Sequence, residues 1–153
     1  MTQRARSYDD LDAAVEYANL IADICKLTPR SGSGRGLEQA VFRKLGYEAV
    51  MTKRGYSIRP AGESHWQSMP QILTDFGTAI RYTIGHRYGS LDHPLEVNWY
   101  IQDMCERTET VSSEGLRIAA WAVRLGKVQK TSHEAIAITP AAALVAAWLR
   151  AQQ

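Results

Sequence analysis

The chain has 153 residues, a formal net charge of +2 and 45% hydrophobic residues, which predicts a single domain, 1–153, with its own core. Two cysteines, Cys25 and Cys105, are too few for a disulfide framework, and no apolar run approaches the ~18 residues that cross a bilayer. The near-neutral balance argues against a protein that coats duplex nucleic acid, although residues 26–59 carry a net +6 and residues 60–106 a net −4.

The first seven residues are basic but no apolar stretch follows, so no secretory signal is expected and a cytoplasmic location is. A first helix is expected from Ser7 or Asp9, where Asp9, Asp10 and Asp12 suit the positive end of its dipole. Leu11, Val15, Ala18, Ala22 and Cys25 recur at helical spacing as its stripe, widened by Ala14, Ile21 and Ile24. Pro29 ends it. After a Gly/Ser stretch, a second helix places Leu37, Ala40, Val41 and Leu45 on one face and stops at Gly46.

Residues 47–59 read as a hairpin in which Val50 and Thr52, then Tyr56 and Ile58, alternate around Lys53-Arg54-Gly55. A third helix is expected from Thr74 or Asp75 to Arg87, with Phe76, Ala79, Ile80, Thr83 and Ile84 sharing a face. Alternation of Leu95, Val97, Trp99 and Ile101 with polar residues predicts a half-buried strand over 95–102. Residues 103–115 read as a long loop, with turn chemistry in Ser112-Ser113-Glu114-Gly115. The stretch 116–125 is apolar on both faces, as in a central strand with helices on both sides. The last helix has Thr139 at its N-cap and Pro140 at its first position, where a missing N–H costs nothing. The order is helix, helix, hairpin, helix, hairpin, helix. It predicts an α+β domain, an antiparallel sheet of about four strands layered with helices.

Candidate chemistry is sparse. The loop Ser31-Gly-Ser-Gly-Arg-Gly36 opens into a helix N-terminus, where free N–H groups attract an anion. Ser33 and Arg35 are the candidate contacts there, the guanidinium offering a bidentate grip on phosphate; a flexible linker that caps a helix is the competing reading. The loop lacks Gly-Lys-Ser/Thr and follows a helix, so it is neither a Walker loop nor a dinucleotide fingerprint. His65, His86, His93 and His133 lack metal-ligand spacing, and no Gly-x-Ser-x-Gly elbow occurs. No metal, cofactor or catalytic activity is therefore expected. Tyr100, on a polar strand face, and Arg117 and Arg124, on the next strand, form a second candidate set. Aromatic and guanidinium planes are what a purine ligand stacks on, whereas Trp121 reads as core.

Three segments resemble short phage and prophage proteins described as ABA-sandwich-like. They are Gly34-Arg-Gly-Leu-Glu-Gln-Ala-Val-Phe-Arg-Lys-Leu-Gly-Tyr47, Pro70-Gln-Ile-Leu-Thr-Asp-Phe-Gly-Thr-Ala-Ile80 and Ala137-Ile-Thr-Pro-Ala-Ala-Ala-Leu-Val-Ala-Ala-Trp-Leu-Arg-Ala151. In the second, Phe76-Gly77 replaces the family's Asp/Ala pair. Some phage sponges that sequester cyclic-nucleotide or cyclic-ADP-ribose immune signals, of the Thoeris anti-defence type, look similar in size and layering. The resemblance implies a non-catalytic, homo-oligomeric binder of a small phosphorylated nucleotide, with arginines on phosphates and an aromatic on the base. Arg35 and Arg150 are the arginines that match the family pattern. At least a dimer is expected, because Ala14, Tyr17 and Ile21 and a last helix apolar nearly all round call for further cover. A nucleic-acid-associated accessory protein and an inhibitor of a host protein are the alternatives.

Overall fold

The computed structural model describes residues 8–28, 34–85, 99–111, 116–127 and 130–152. They form an α+β fold with four helices and two three-stranded antiparallel sheets. In chain order these are α1 (Tyr8–Cys25), α2 (Arg35–Lys44), β1 (Tyr47–Thr52), β2 (Gly55–Pro60), β3 (Gln67–Ser68), α3 (Phe76–Tyr82), β4 (Tyr100–Val111), β5 (Leu116–Lys127), β6 (Lys130–Ala137) and α4 (Pro140–Ala151). The strand orders are β1-β2-β3 and β4-β5-β6. The single sheet of about four strands expected from the sequence is thus two sheets of three.

Helix α4 sits at the centre. Every residue from Ala141 to Leu149 is buried, against β5, β6, α1 and α3. A helix apolar on all sides seeks burial on all sides, and this chain supplies it without a second copy. Thr139 starts the helix as the pattern predicts. Its hydroxyl accepts the Ala142 N–H at 3.0 Å and donates to the Leu73 carbonyl, so the cap also fastens the preceding loop.

Helix α1 presents Tyr17, Leu20, Ile21 and Ile24 to the core, while Val15 is 57% exposed and Ala18 is exposed. The expected stripe through Val15, Ala18 and Ala22 is rotated. Burial free energy scales with apolar area, so two isoleucines and a leucine outweigh alanines in choosing the face. Tyr17 and Ile21, expected to be left for a subunit interface, belong to this inner face.

Helix α2 buries Glu38, Val41 and Phe42 and ends at Gly46, whose φ of 94° suits the glycine after a helix. Gln39 and Arg43 donate to the Ala49 carbonyl, tying α2 to β1. The rings of Phe42, Tyr47 and Tyr82 meet edge to face at 5.1–5.8 Å and join α2, β1 and α3.

In the β1–β2 hairpin Ala49 pairs with Ile58 and both are buried. Val50 pairs with Ser57 on the opposite face. Thr52 pairs with Gly55, leaving a two-residue turn, Lys53-Arg54; Gly55 adopts φ 103° to close it.

Helix α3 starts at its Asp75 cap as expected and stops at Tyr82, short of Arg87, which lies outside the described residues. Thr83 donates to the Ala79 carbonyl and the Gly85 N–H to Ile80 O, closing the helix. The expected strand residues before Trp99 are also outside the described residues.

The second sheet differs most from expectation. Strand β4 runs on to Val111, through the segment read as loop, and β6 is an additional strand. Both are outer strands of the sheet, so polar residues stand on either face and hide the alternation. Strand β5 is central in its sheet, as expected, but among the described residues α4 packs on one face of it and no helix covers the other. Trp121, Val123 and Leu125 join the core on the α4 side, while Ala120, Ala122 and Arg124 point to the outer face.

Replacing Thr139 with Ala should lower the unfolding free energy by about 1–2 kcal/mol, the worth of a helix N-cap. Thr139→Ser should retain most of it, as read by urea denaturation of the pair.

Candidate functional site

The residues singled out from the sequence do not gather. Ser33 lies outside the described residues. Arg35, at the start of α2, is turned inward. Its Nη1 donates to Glu38 Oε1 at 2.7 Å and to the Pro70 carbonyl at 3.2 Å, its Nη2 donates to the Met69 carbonyl at 2.6 Å, and its guanidinium lies 5.7 Å from the Tyr56 ring centre. Glu38 is 1% exposed, and its second oxygen accepts the Leu73 N–H at 3.0 Å. A buried carboxylate is tolerated when both oxygens are satisfied. Here Arg35 and the Leu73 amide satisfy them, and the pair stitches α2 to the 69–73 segment.

Tyr100 and Arg124 share the outer face of the second sheet. Tyr100 is 48% exposed and lies against Gly126, where an added Cβ would sit 3.1 Å from its ring. Arg124 is held by Asp103 at 3.4 Å and Glu134 at 3.5 Å. Arg117 occupies the β5 position paired with Thr110; its side chain is outside the described residues.

A different set does converge. Alternation along the hairpin places Glu48, Val50 and Thr52 of β1 and Ser57 and Arg59 of β2 on the face away from Ala49 and Ile58. Trp66, just before β3, joins that face. The Arg59 guanidinium stacks 4.4 Å from its ring centre and is held in place by Glu48, its cross-strand partner. Val50, Thr52, Lys53, Arg54, Ser57 and Trp66 line an open groove of about 530 Å³. Thr52 pins the rim, its hydroxyl accepting the Arg54 N–H at 3.2 Å and donating to the Gly55 carbonyl at 3.1 Å. Lys53 and Arg54 project from the tip and are exposed, as is Trp66. The groove therefore offers an aromatic surface braced by one cation, two hydroxyls and two further cations.

The net +6 of residues 26–59 signalled part of this site. Trp66 was missed because it sits in a polar stretch, Glu63-Ser-His-Trp-Gln67, with no periodicity to place it. An isolated tryptophan a few residues beyond a basic hairpin is the signal that was there to use.

Among the described residues, no three His, Cys, Asp or Glu side chains gather closely enough to hold a metal ion. Cys25 packs half-buried against the core, and burial pushes its thiol above the ordinary range despite an opposing pull from Arg150. No helix among the described residues is long and apolar enough to cross a membrane. No family model, curated protein or solved structure matches this chain.

Arg35→Ala should destabilise the fold by about 1.5–3 kcal/mol, the range for hydrogen bonds to a charged group, while leaving any ligand affinity of the hairpin groove unchanged. Denaturation and titration of the same variant check both halves.

Proposed function

We propose that this chain binds a small phosphorylated nucleotide in the groove on the outer face of the β1–β2 hairpin and holds it without chemical conversion. The observation that carries this reading is the stack of Arg59 on Trp66, with Lys53 and Arg54 at the rim of the same groove. A base that lies on a tryptophan gains stacking of about 1–3 kcal/mol. The rim cations then meet its phosphates through charge-assisted hydrogen bonds, and the groove volume falls in the usual range for small-molecule sites. The groove lining contains hydroxyls and cations but no carboxylate or imidazole, which suits retention over turnover.

The resemblance of three segments to phage and prophage proteins supports the same reading. A phage product of this kind would remove a cyclic nucleotide signal from the host cytoplasm by stoichiometric capture. The exposed Lys53-Arg54 tip also favours a second reading, an accessory protein on nucleic acid, for which binding would weaken steeply with salt.

A thermal-shift and calorimetric screen against cyclic di- and trinucleotides and ADP-ribose isomers tests the proposal. Ligand at a hundredfold excess over Kd should add about 2.7 kcal/mol of stability. Trp66→Ala should then weaken binding by roughly 10- to 100-fold, in line with loss of one stacked base. Lys53→Ala with Arg54→Ala should weaken it further and flatten its salt dependence, with the melting of the free protein little changed. Mass spectrometry should recover the ligand intact. A bound ligand indifferent to Trp66, or one degraded by substoichiometric protein, would overturn the reading.

A further inference from the structure

The outer face of the second sheet carries an ion-pair chain that crosses all three strands. Asp103 on β4 meets Arg124 on β5 at 3.4 Å, Arg124 meets Glu134 on β6 at 3.5 Å, and Glu134 reaches Arg107, back on β4, at 3.8 Å. The side chains are about half exposed, so each pair alone contributes little. The chain of charges begins and ends on one strand. Its two members on β4, Asp103 and Arg107, have opposite sign and stand symmetrically about Cys105.

That strand is also the edge of the sheet. Strand β4 is in register with β5 on one side, and among the described residues no strand pairs with its other side. Twelve residues of edge strand present a row of N–H and C=O groups able to pair with another chain. The ladder is regular from Asp103 onward, past the irregularity between Ile101 and Asp103.

We propose that β4 pairs antiparallel with β4 of a second copy of this chain, about a two-fold axis through Cys105. Charge and length of overlap together select this register. A two-fold axis normal to the sheet keeps outward residues opposite outward residues, so it must pass through a residue position. At Asp103, Glu106 or Arg107 it would set like charges directly opposite one another, which destabilises a sheet. At Met104 it would set Asp103 against Cys105, and at Thr108 it would match Arg107 with Glu109 but overlap only residues 105–111, leaving Asp103 outside the pairing. At Cys105 it sets Asp103 opposite the second copy's Arg107, twice. The two sets of four charges then join into one ring of eight with alternating sign, across a continuous six-stranded sheet. This interface is separate from the hairpin groove and does not depend on its ligand.

The test is a pair of charge reversals followed by light scattering across a concentration series. The wild-type mass should double as concentration rises. Asp103→Arg alone and Arg107→Asp alone should each stay monomeric, because like charges then oppose across the axis. An equimolar mixture of the two should regain the doubled mass, since the introduced arginine at 103 faces the introduced aspartate at 107 and the native pair faces itself. Far-ultraviolet circular dichroism verifies that both variants remain folded. Directly opposed antiparallel residues have Cα atoms about 4.5–5.5 Å apart, a separation a disulfide spans. Mild oxidation of Cys25→Ser should therefore yield a covalent dimer, and Cys105→Ser should not. A wild-type chain monomeric at every concentration, or a dimer that survives both reversals, would overturn the proposal.

Discussion

Complete burial of α4 is the constraint around which the other elements are arranged. Of its residues from Ala141 to Leu149, five are alanines, and small side chains let a sheet and two helices approach the same helix closely. Trp148, Leu144, Val145 and Leu149 then fill the space that remains, each worth roughly 1.5–3 kcal/mol on burial. The inner faces of β5 and β6 cover one side, and α1 and α3 cover others. The buried apolar cluster draws on all four helices and on strands of both sheets.

The two halves of this core are joined through polar groups at Leu73. Its carbonyl accepts from Thr139 at the start of α4, and its N–H donates to the buried Glu38 of α2. Glu38 in turn holds Arg35, which returns to the Met69 and Pro70 carbonyls. Backbone groups of residues 69–73 are thus matched without a regular element. The cost of burying a carboxylate is offset only while every member of the set is present, because loss of one leaves a desolvated charge unpaired.

What could be read from the sequence was local. The caps Asp75 and Thr139, the Gly46 stop and the hairpin turn depend on a few neighbouring residues, and each stands where the pattern placed it. What could not be read depends on residues distant in the chain. Arg35 beside glycines looks like an anion contact until the carbonyls 34 and 35 residues away are brought beside it. The stripe on α1 is ambiguous because the helix is apolar on more than half its circumference, so side-chain size decides. Strands β4 and β6 lacked the alternation of a half-buried strand because they flank β5, with charged residues over the outer face.

The same separation bears on function. On the inner face of the hairpin, Ala49 and Ile58 hold the core, and Gln39 and Arg43 secure β1 through a backbone carbonyl. The outer face is thereby released from structural duty: Trp66, Lys53 and Arg54 are exposed, and Val50 only partly covered. The Trp66 ring and the Arg59 guanidinium, already held against each other and by Glu48, lose less conformational entropy on meeting a ligand than the exposed Lys53 and Arg54 at the tip. Trp66, 39% exposed, is braced by an arginine and its cross-strand glutamate and keeps part of its ring open to solvent.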